Sequence, residues 1–182
     1  MFSCGAPTQV SSPVTSGYNI GNDGRYRVLS IFRLGNPWVM PETRTGHSPA
    51  ITLDEQSIID FAQNFDPQPY HLDRDAADAS IFEGLCASGW QVGALASRLT
   101  GEALMSAGIP YVTTTQVNQL RWMRPTFVDD QLIAHIVFGD LQRGSPVPDC
   151  DSLEVSVTLK DDNDQAVAEM TCLVAVAADA KP

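Results

Sequence analysis

The 182-residue chain predicts an α+β domain in which an antiparallel sheet wraps around one apolar helix. Three observations carry that expectation. Leu153, Val155, Val157 and Leu159 alternate strictly with Ser152, Glu154, Ser156, Thr158 and Lys160, the period-2 signature of a strand with one buried face. Gly89 to Leu99 sets Trp90, Val92, Leu95 and Leu99 among the small residues Gly93, Ala94, Ala96 and Ser97, with Arg98 the one charge. A helix this apolar on most sides belongs inside a protein. Helical signals also precede the main strand signals, so the strands follow as a meander that must cover something. The apolar helix is the candidate filling.

Residues 1 to about 24 are rich in Ser, Pro, Gly and Thr and read as flexible or draped over a surface. They belong to an N-terminal extension, 1–45, that leaves 46–182 as the domain. Within the extension Tyr26–Phe32 is a candidate strand, whereas Gly35–Pro37 and Pro41–Gly46 read as loop. Thr52-Leu53-Asp54-Glu55 has the form of a capping box, and Ile58, Phe61, Ala62 and Phe65 then recur at helical spacing. Pro67 and Pro69 fix their own φ and push Asp66 and Gln68 toward extended geometry, so the helix ends and a stiff irregular turn follows. Asp73–Ala79 reads as a short capped surface helix. After the apolar helix, Tyr111–Met123 favours strand by its Thr, Val and Tyr content. Gln131–Phe138 places Leu132, Ala134, Ile136 and Phe138 on one face. The turn Asp161–Asp164 leads into a long apolar strand, Gln165–Ala177. There is no internal repeat.

Composition narrows the function classes. The net charge of −11 argues against nucleic acid and anionic membrane surfaces as partners. It also opposes a phosphorylated ligand or an acidic carrier protein, because only Lys160, Lys181 and nine arginines stand against it. No apolar run approaches the length of a membrane helix. Met1–Pro7 has neither a basic region nor an apolar stretch, so the expectation is a cytoplasmic protein without a secretory signal. Cys4, Cys86, Cys150 and Cys172 show no CxxC pairing. Cys86 and Cys172 read as small core residues, and no metal or cofactor is assigned.

The chemistry-bearing stretch is Asp66-Pro67-Gln68-Pro69-Tyr70-His71, an acid and an imidazole five positions apart on a stiffened segment. Such a pair suits proton transfer, one group taking a proton and one titrating near neutrality. Taken locally, two plainer roles stand beside it. Asp66 can cap backbone amides at the turn, and His71 can be a hydrogen-bonded structural residue.

Together with Ser80-Ile81-Phe82-Glu83-Gly84-Leu85 and Ala87-Ser88-Gly89-Trp90, the stretch resembles the MaoC-like dehydratases. This hotdog-fold family includes the (R)-specific enoyl-CoA hydratases. The family pattern runs Asp-x-Asn-Pro-x-His, then Phe-Gly, then a Gly that opens the central helix. Asp66, Pro69 and His71 match the first part, with Gln68 for the usual Asn. Phe82 and Gly89 match the second part at the family's spacing. Ser97 falls where the hydratases carry an active-site Ser, and Arg121-Trp122-Met123-Arg124-Pro125 with Asp129-Asp130 resembles the later strand and its Pro-x-x-x-Gly-Asp turn. The likeness spans roughly residues 50–177. Departures are Glu83 for a usual Gly and Ser88 for a frequent His, both of which bear on substrate access. Asp129 also replaces a Gly, at a turn whose left-handed geometry Asp tolerates.

The resemblance implies a hotdog domain paired as a homodimer or higher homo-oligomer. It implies hydration of a 2-enoyl thioester to an (R)-3-hydroxyacyl thioester, or the reverse, with CoA favoured over a carrier protein. Asp66 and His71 would share one water, Asp66 acting as base toward it and His71 exchanging the α-carbon proton. The Gly89 N–H would polarise the thioester carbonyl from a helix N-terminus, its missing side chain allowing close approach. Ser97 would hydrogen-bond His71 or simply pack. Phe82 and Trp90 are implied substrate contacts, and Arg121 and Arg124 phosphate contacts or solvated strand-edge charges. Two rivals share the fold, an acyl thioesterase and a non-catalytic acyl-thioester-binding subunit. The Asp-x-x-Pro-x-His spacing favours the hydro-lyase, and a binding module needs neither Asp66 nor His71. His47 and His135 receive no role.

Overall fold

The computed structural model describes residues 38–178, together with the backbone of two short strands before them, and divides the chain into units 1–35 and 36–182. In the first unit Tyr18–Ile20 (β1) and Tyr26–Val28 (β2) pair antiparallel. β2 takes up the start of the expected strand Tyr26–Phe32. The rest of that strand, and nearly all of the 1–24 segment expected to be flexible, lie outside the described residues.

The second unit begins with Thr45–His47 (β3) and Ile51–Thr52 (β4), followed by helices Glu55–Phe65 (α1), Pro69–Leu72 (α2), Arg74–Asp78 (α3) and Gly89–Ser106 (α4). Tyr111–Trp122 (β5), Gln131–Gln142 (β6), Cys150–Lys160 (β7) and Ala166–Ala177 (β8) complete it. The strands form an antiparallel sheet in the order β3-β6-β7-β8-β5, with β4 also paired to β6. Alternation sorts its faces. Leu132, Ala134, Ile136 and Phe138 on β6, and Leu153, Val155, Val157 and Leu159 on β7, are buried, while His135, Val137, Glu154 and Ser156 between them are exposed. Each such Val, Leu or Ile is worth ~1.5–3 kcal/mol over its exposed form. A slip of one residue would turn the whole set to solvent, so the pattern locks the register.

The sheet closes over α4, which packs against β3, β5, β6, β7 and β8. Val92, Ala96, Leu99 and Ala103 form its buried stripe. The helix runs on to Ser106 instead of ending near Leu99, because Thr100, Ala103 and Leu104 continue that stripe. An i,i+4 pair, Arg98 Nε to Glu102 Oε1 at 2.9 Å, supports the added turns on the open side.

Three local expectations change. The capping box does not form: Thr52 belongs to β4, and Asp54 caps α1 by accepting from the Ser57 N–H at 2.8 Å. Glu55 turns away to a two-bonded pair with Arg74. On α1, Ile58 and Ala62 are buried but Phe65 is exposed, its ring tilted against Phe61 with centroids 4.9 Å apart. At the end of the expected loop Pro41–Gly46, Thr45 and Gly46 instead join His47 in β3 along β6.

Candidate active site

Two helix ends and a loop meet at one cavity. Asp66 closes α1, its N–H donating to Ala62 O at 2.9 Å and its carbonyl accepting from the Gln68 N–H at 2.7 Å. Pro67 blocks any further turn. Pro69 then starts α2 at a position where its missing N–H is no loss. His71 therefore stands on a helical turn, where a wholly irregular segment was expected. The loop after α3 runs through Phe82 to Cys86, which bridges to Phe127, and delivers Ser88 and Gly89 at the start of α4.

His71 is only 5% exposed. Its Nδ1 donates to the Cys86 carbonyl at 2.7 Å, which in the neutral ring makes Nε2 the acceptor. Nε2 faces Asp66 Oδ2 across 3.6 Å, beyond hydrogen-bonding distance. Two acceptors thus confront each other. Tyr70 meets the His71 ring edge-on at 4.5 Å and Phe82 at 5.0 Å, fixing both aromatic neighbours. Burial pushes the Cys86 thiol above its ordinary pKa, so no thiolate charge competes beside the imidazole.

Ser88 is fully buried. It donates from Oγ to Asp66 Oδ2 at 2.6 Å and accepts the Trp90 N–H at 3.2 Å. In the sequence it stands out only as a departure from a family histidine. The overlooked signal was its type and place, a Ser immediately before a helix, where a hydroxyl caps.

Gly89 is the first helical residue, so its N–H has no intrahelical carbonyl to bond, and it lies in the cavity wall. Its lack of a side chain serves Trp122. The indole Nε1 donates to Gly89 O at 2.6 Å, and a Cβ on Gly89 would fall 3.0 Å from that same nitrogen. The close approach expected of a thioester is made here by the indole.

The cavity, about 410 Å³, is lined among others by Asp66, His71, Phe82, Trp90, Trp122 and Thr126. Trp90 and Trp122 stand edge to face at 5.3 Å, both part-exposed at its rim. The Thr126 hydroxyl is buried without a partner. Arg124 also lines the cavity but is paired with Asp161, a buried carboxylate whose other oxygen accepts the Asn163 and Gln165 N–H groups. Arg121 is exposed on β5, opposite Glu169, and is not among the lining residues. Ser97 lies eight residues along α4, ~12 Å from Gly89, outside the cavity wall. It makes no bond to His71, whose nitrogens are directed at Cys86 and Asp66. The structure thus brings together Asp66, His71, Gly89, Phe82, Trp90 and Arg124, and leaves out Ser97 and Arg121.

A second cavity of about 210 Å³ lies over β5, β7 and β8, with Glu169 its one titratable lining residue, and offers no acid–base pair. Among the described residues no three His, Cys, Asp or Glu side chains gather as a metal site, and no helix is long and apolar enough to cross a membrane.

Comparison with known proteins agrees with this architecture. The family model described as MaoC like domain matches residues 39–159. An uncharacterized protein of Bacillus subtilis (strain 168), YdeM, is 30% identical over 93 residues, 51% of this chain and 65% of the relative. The chain thus spans just under two thirds of that relative's length. A solved MaoC-like dehydratase from Rhodospirillum rubrum superposes with a TM-score of 0.66 at 27% identity, covering 78% of this chain and 96% of the other. The fold also matches an (R)-hydratase from A. caviae involved in PHA biosynthesis, with a TM-score of 0.58 at 20% identity over 74% of this chain and 96% of the other. The sheet wrapped on α4 is the hotdog fold.

Proposed function

Because the chain belongs to the MaoC-like dehydratase family, we propose that it is a hydro-lyase that adds water to a 2-enoyl thioester, giving an (R)-3-hydroxyacyl thioester, or runs the reverse dehydration. The observation that carries this reading is the pair of acceptors, His71 Nε2 and Asp66 Oδ2, 3.6 Å apart in a cavity wall. Two acceptors at that spacing accommodate one water ~2.8 Å from each, donating a proton to both and turning its lone pairs toward the substrate.

In hydration the water oxygen forms a bond to the β-carbon while Asp66 takes one of its protons. The α,β double bond becomes an enolate on the thioester. The new β-hydroxyl still bridges the two groups, so it takes the proton back from the carboxyl as it gives its own to Nε2 across the 3.6 Å gap. His71 delivers that proton to the α-carbon, so the pair ends as it began. The Gly89 N–H, with the positive end of the helix dipole behind it, is the donor assigned to the enolate oxygen. Phe82, Trp90 and Trp122 give the acyl chain an apolar wall. Arg124 is already neutralised by Asp161, which leaves binding of a CoA moiety to contacts other than a free arginine there.

The reading keeps the expectation of a cytoplasmic homodimer. In support of pairing, β5 is an edge strand of the sheet among the described residues, with residues 116–119 exposed, a stretch that a second copy can cover.

The test is hydration of a 2-enoyl-CoA in deuterated water, followed by chiral analysis at both carbons. Asp66 and His71 share one short segment and one water, so addition should be syn and the product R. Anti addition or an S product would overturn the site assignment. Thioester cleavage without hydration would identify a thioesterase instead.

A further inference from the structure

We infer that Ser88 is the positioning residue of this site, holding the Asp66 carboxylate apart from His71 so that a water can enter between them. The inference rests on the hydro-lyase reading for its kinetic consequences but on geometry for the placement itself.

A hydroxyl has one proton and two lone pairs. At Ser88 one lone pair accepts the Trp90 N–H, and the proton goes to Asp66 Oδ2 at 2.6 Å, since an ionised carboxylate can only accept. Both ends are therefore committed. Extended backbone angles, φ −58° and ψ 138°, and the cap fix where the oxygen stands. The Asp66 backbone is fixed by the Ala62 and Gln68 bonds, but its carboxylate retains two side-chain torsions. His71 is fixed by the Cys86 carbonyl. Among the described residues Ser88 is thus the side-chain donor that determines where the carboxylate sits relative to the imidazole. Remove it, and the carboxylate is free to swing onto Nε2 once the ring takes up a proton. That direct, charge-assisted contact is shorter and stronger than an ordinary hydrogen bond. It would exclude the water and trap the pair in a protonated state. Because Ser88 also caps α4, the same hydroxyl ties the carboxylate to the helix end that carries Gly89.

The decisive variants are Ser88→Gly and Ser88→Ala. Glycine loses the hydroxyl yet costs a helix cap only a few tenths of a kcal/mol, which separates positioning from capping. In a crystal structure of Ser88→Gly, Asp66 Oδ2 should close on His71 Nε2 to about 2.8 Å. With 2-enoyl-CoA, kcat should fall about 100-fold, the scale of a 1 Å misplacement, while KM stays near that of the parent. Ser88→Thr, which keeps hydroxyl and cap, should recover most of kcat. A carboxylate that remains in place in the Ser88→Gly structure overturns the inference whatever the activity. So does an unchanged kcat in a parent enzyme that hydrates the substrate. A parent protein that hydrates no enoyl thioester sinks the hydro-lyase reading instead, and the crystallographic distance still decides the role of Ser88.

Discussion

The indole of Trp122 hydrogen-bonds the carbonyl of Gly89 at 2.6 Å while occupying the space a Gly89 side chain would need. One contact therefore aligns the end of β5 with the start of α4, and it joins two residues of the cavity wall. Gly89→Ala should force the indole aside, costing ~1–3 kcal/mol as other overpacked contacts do. Thermal unfolding and tryptophan fluorescence would register both effects. An unchanged melting temperature would mean that Trp122 yields without strain.

The acid–base pair gives the sharpest contrast. Asp66→Asn and His71→Ala should each lower kcat by about 10²–10⁴-fold, with circular dichroism showing a folded protein. Ser97→Ala should leave kcat close to that of the parent, since Ser97 reaches neither the cavity nor the imidazole. A large loss at Ser97 would show that α4 is displaced when substrate binds.

Glu83 stands where the family favours Gly, and its φ is 54°. A side chain in this left-handed region costs roughly 1–2 kcal/mol, which glycine's greater freedom in the unfolded chain offsets by ~0.5–1 kcal/mol. Glu83→Gly should therefore stabilise the fold by about 1 kcal/mol or less, measurable as a higher denaturation midpoint at unchanged slope. A lower midpoint would reveal a stabilising role for the carboxylate.

The three described thiols, Cys86, Cys150 and Cys172, should be inert near neutrality. Burial pushes Cys172 up to about 11 and raises Cys86, and at Cys150 burial is joined by the neighbouring Asp149 and Asp151. Because the thiolate is the nucleophile, alkylation at these three cysteines should be slow at neutral pH and climb only as pH approaches the raised values, with Cys172 last. Peptide mass spectrometry after iodoacetamide treatment checks this. Fast labelling of Cys86 at neutral pH would place an unforeseen charge beside His71.

What was legible depended on whether a signal was local. The alternation of Leu153 to Leu159 needs only neighbours two apart, and it gave the strand and its face. Gly89 to Leu99 announced a buried helix by composition, but its true end was not marked, because Thr100 to Ser106 continue it through Gly101 with no proline to stop it. β3 and β4 are two or three residues long and take their form from β6, too short for any period to show. Thr52 read as a cap because its local sequence fits one, and the β6 pairing overrode it. In the site, Asp66 and His71 stood out by spacing and family pattern, whereas two partnerships were tertiary and silent. Arg124 meets Asp161 across the β7–β8 turn, and Ser88 meets Asp66 across the gap between α1 and α4.

With Arg124 spoken for, a ligand approaching the cavity meets the field of the whole chain, and that field is strongly negative at −11. For a thioester carrying several phosphates, encounter is uphill in dilute buffer. Added salt shortens the reach of the repulsion from about 30 Å at 0.01 M to about 8 Å at 0.15 M. Capture of such a substrate should therefore quicken with ionic strength, while an uncharged thioester with the same acyl group should be indifferent to it. The Arg124–Asp161 ion pair thus gives the protein a kinetic character, in which the medium, as much as the cavity, sets how readily a charged substrate arrives.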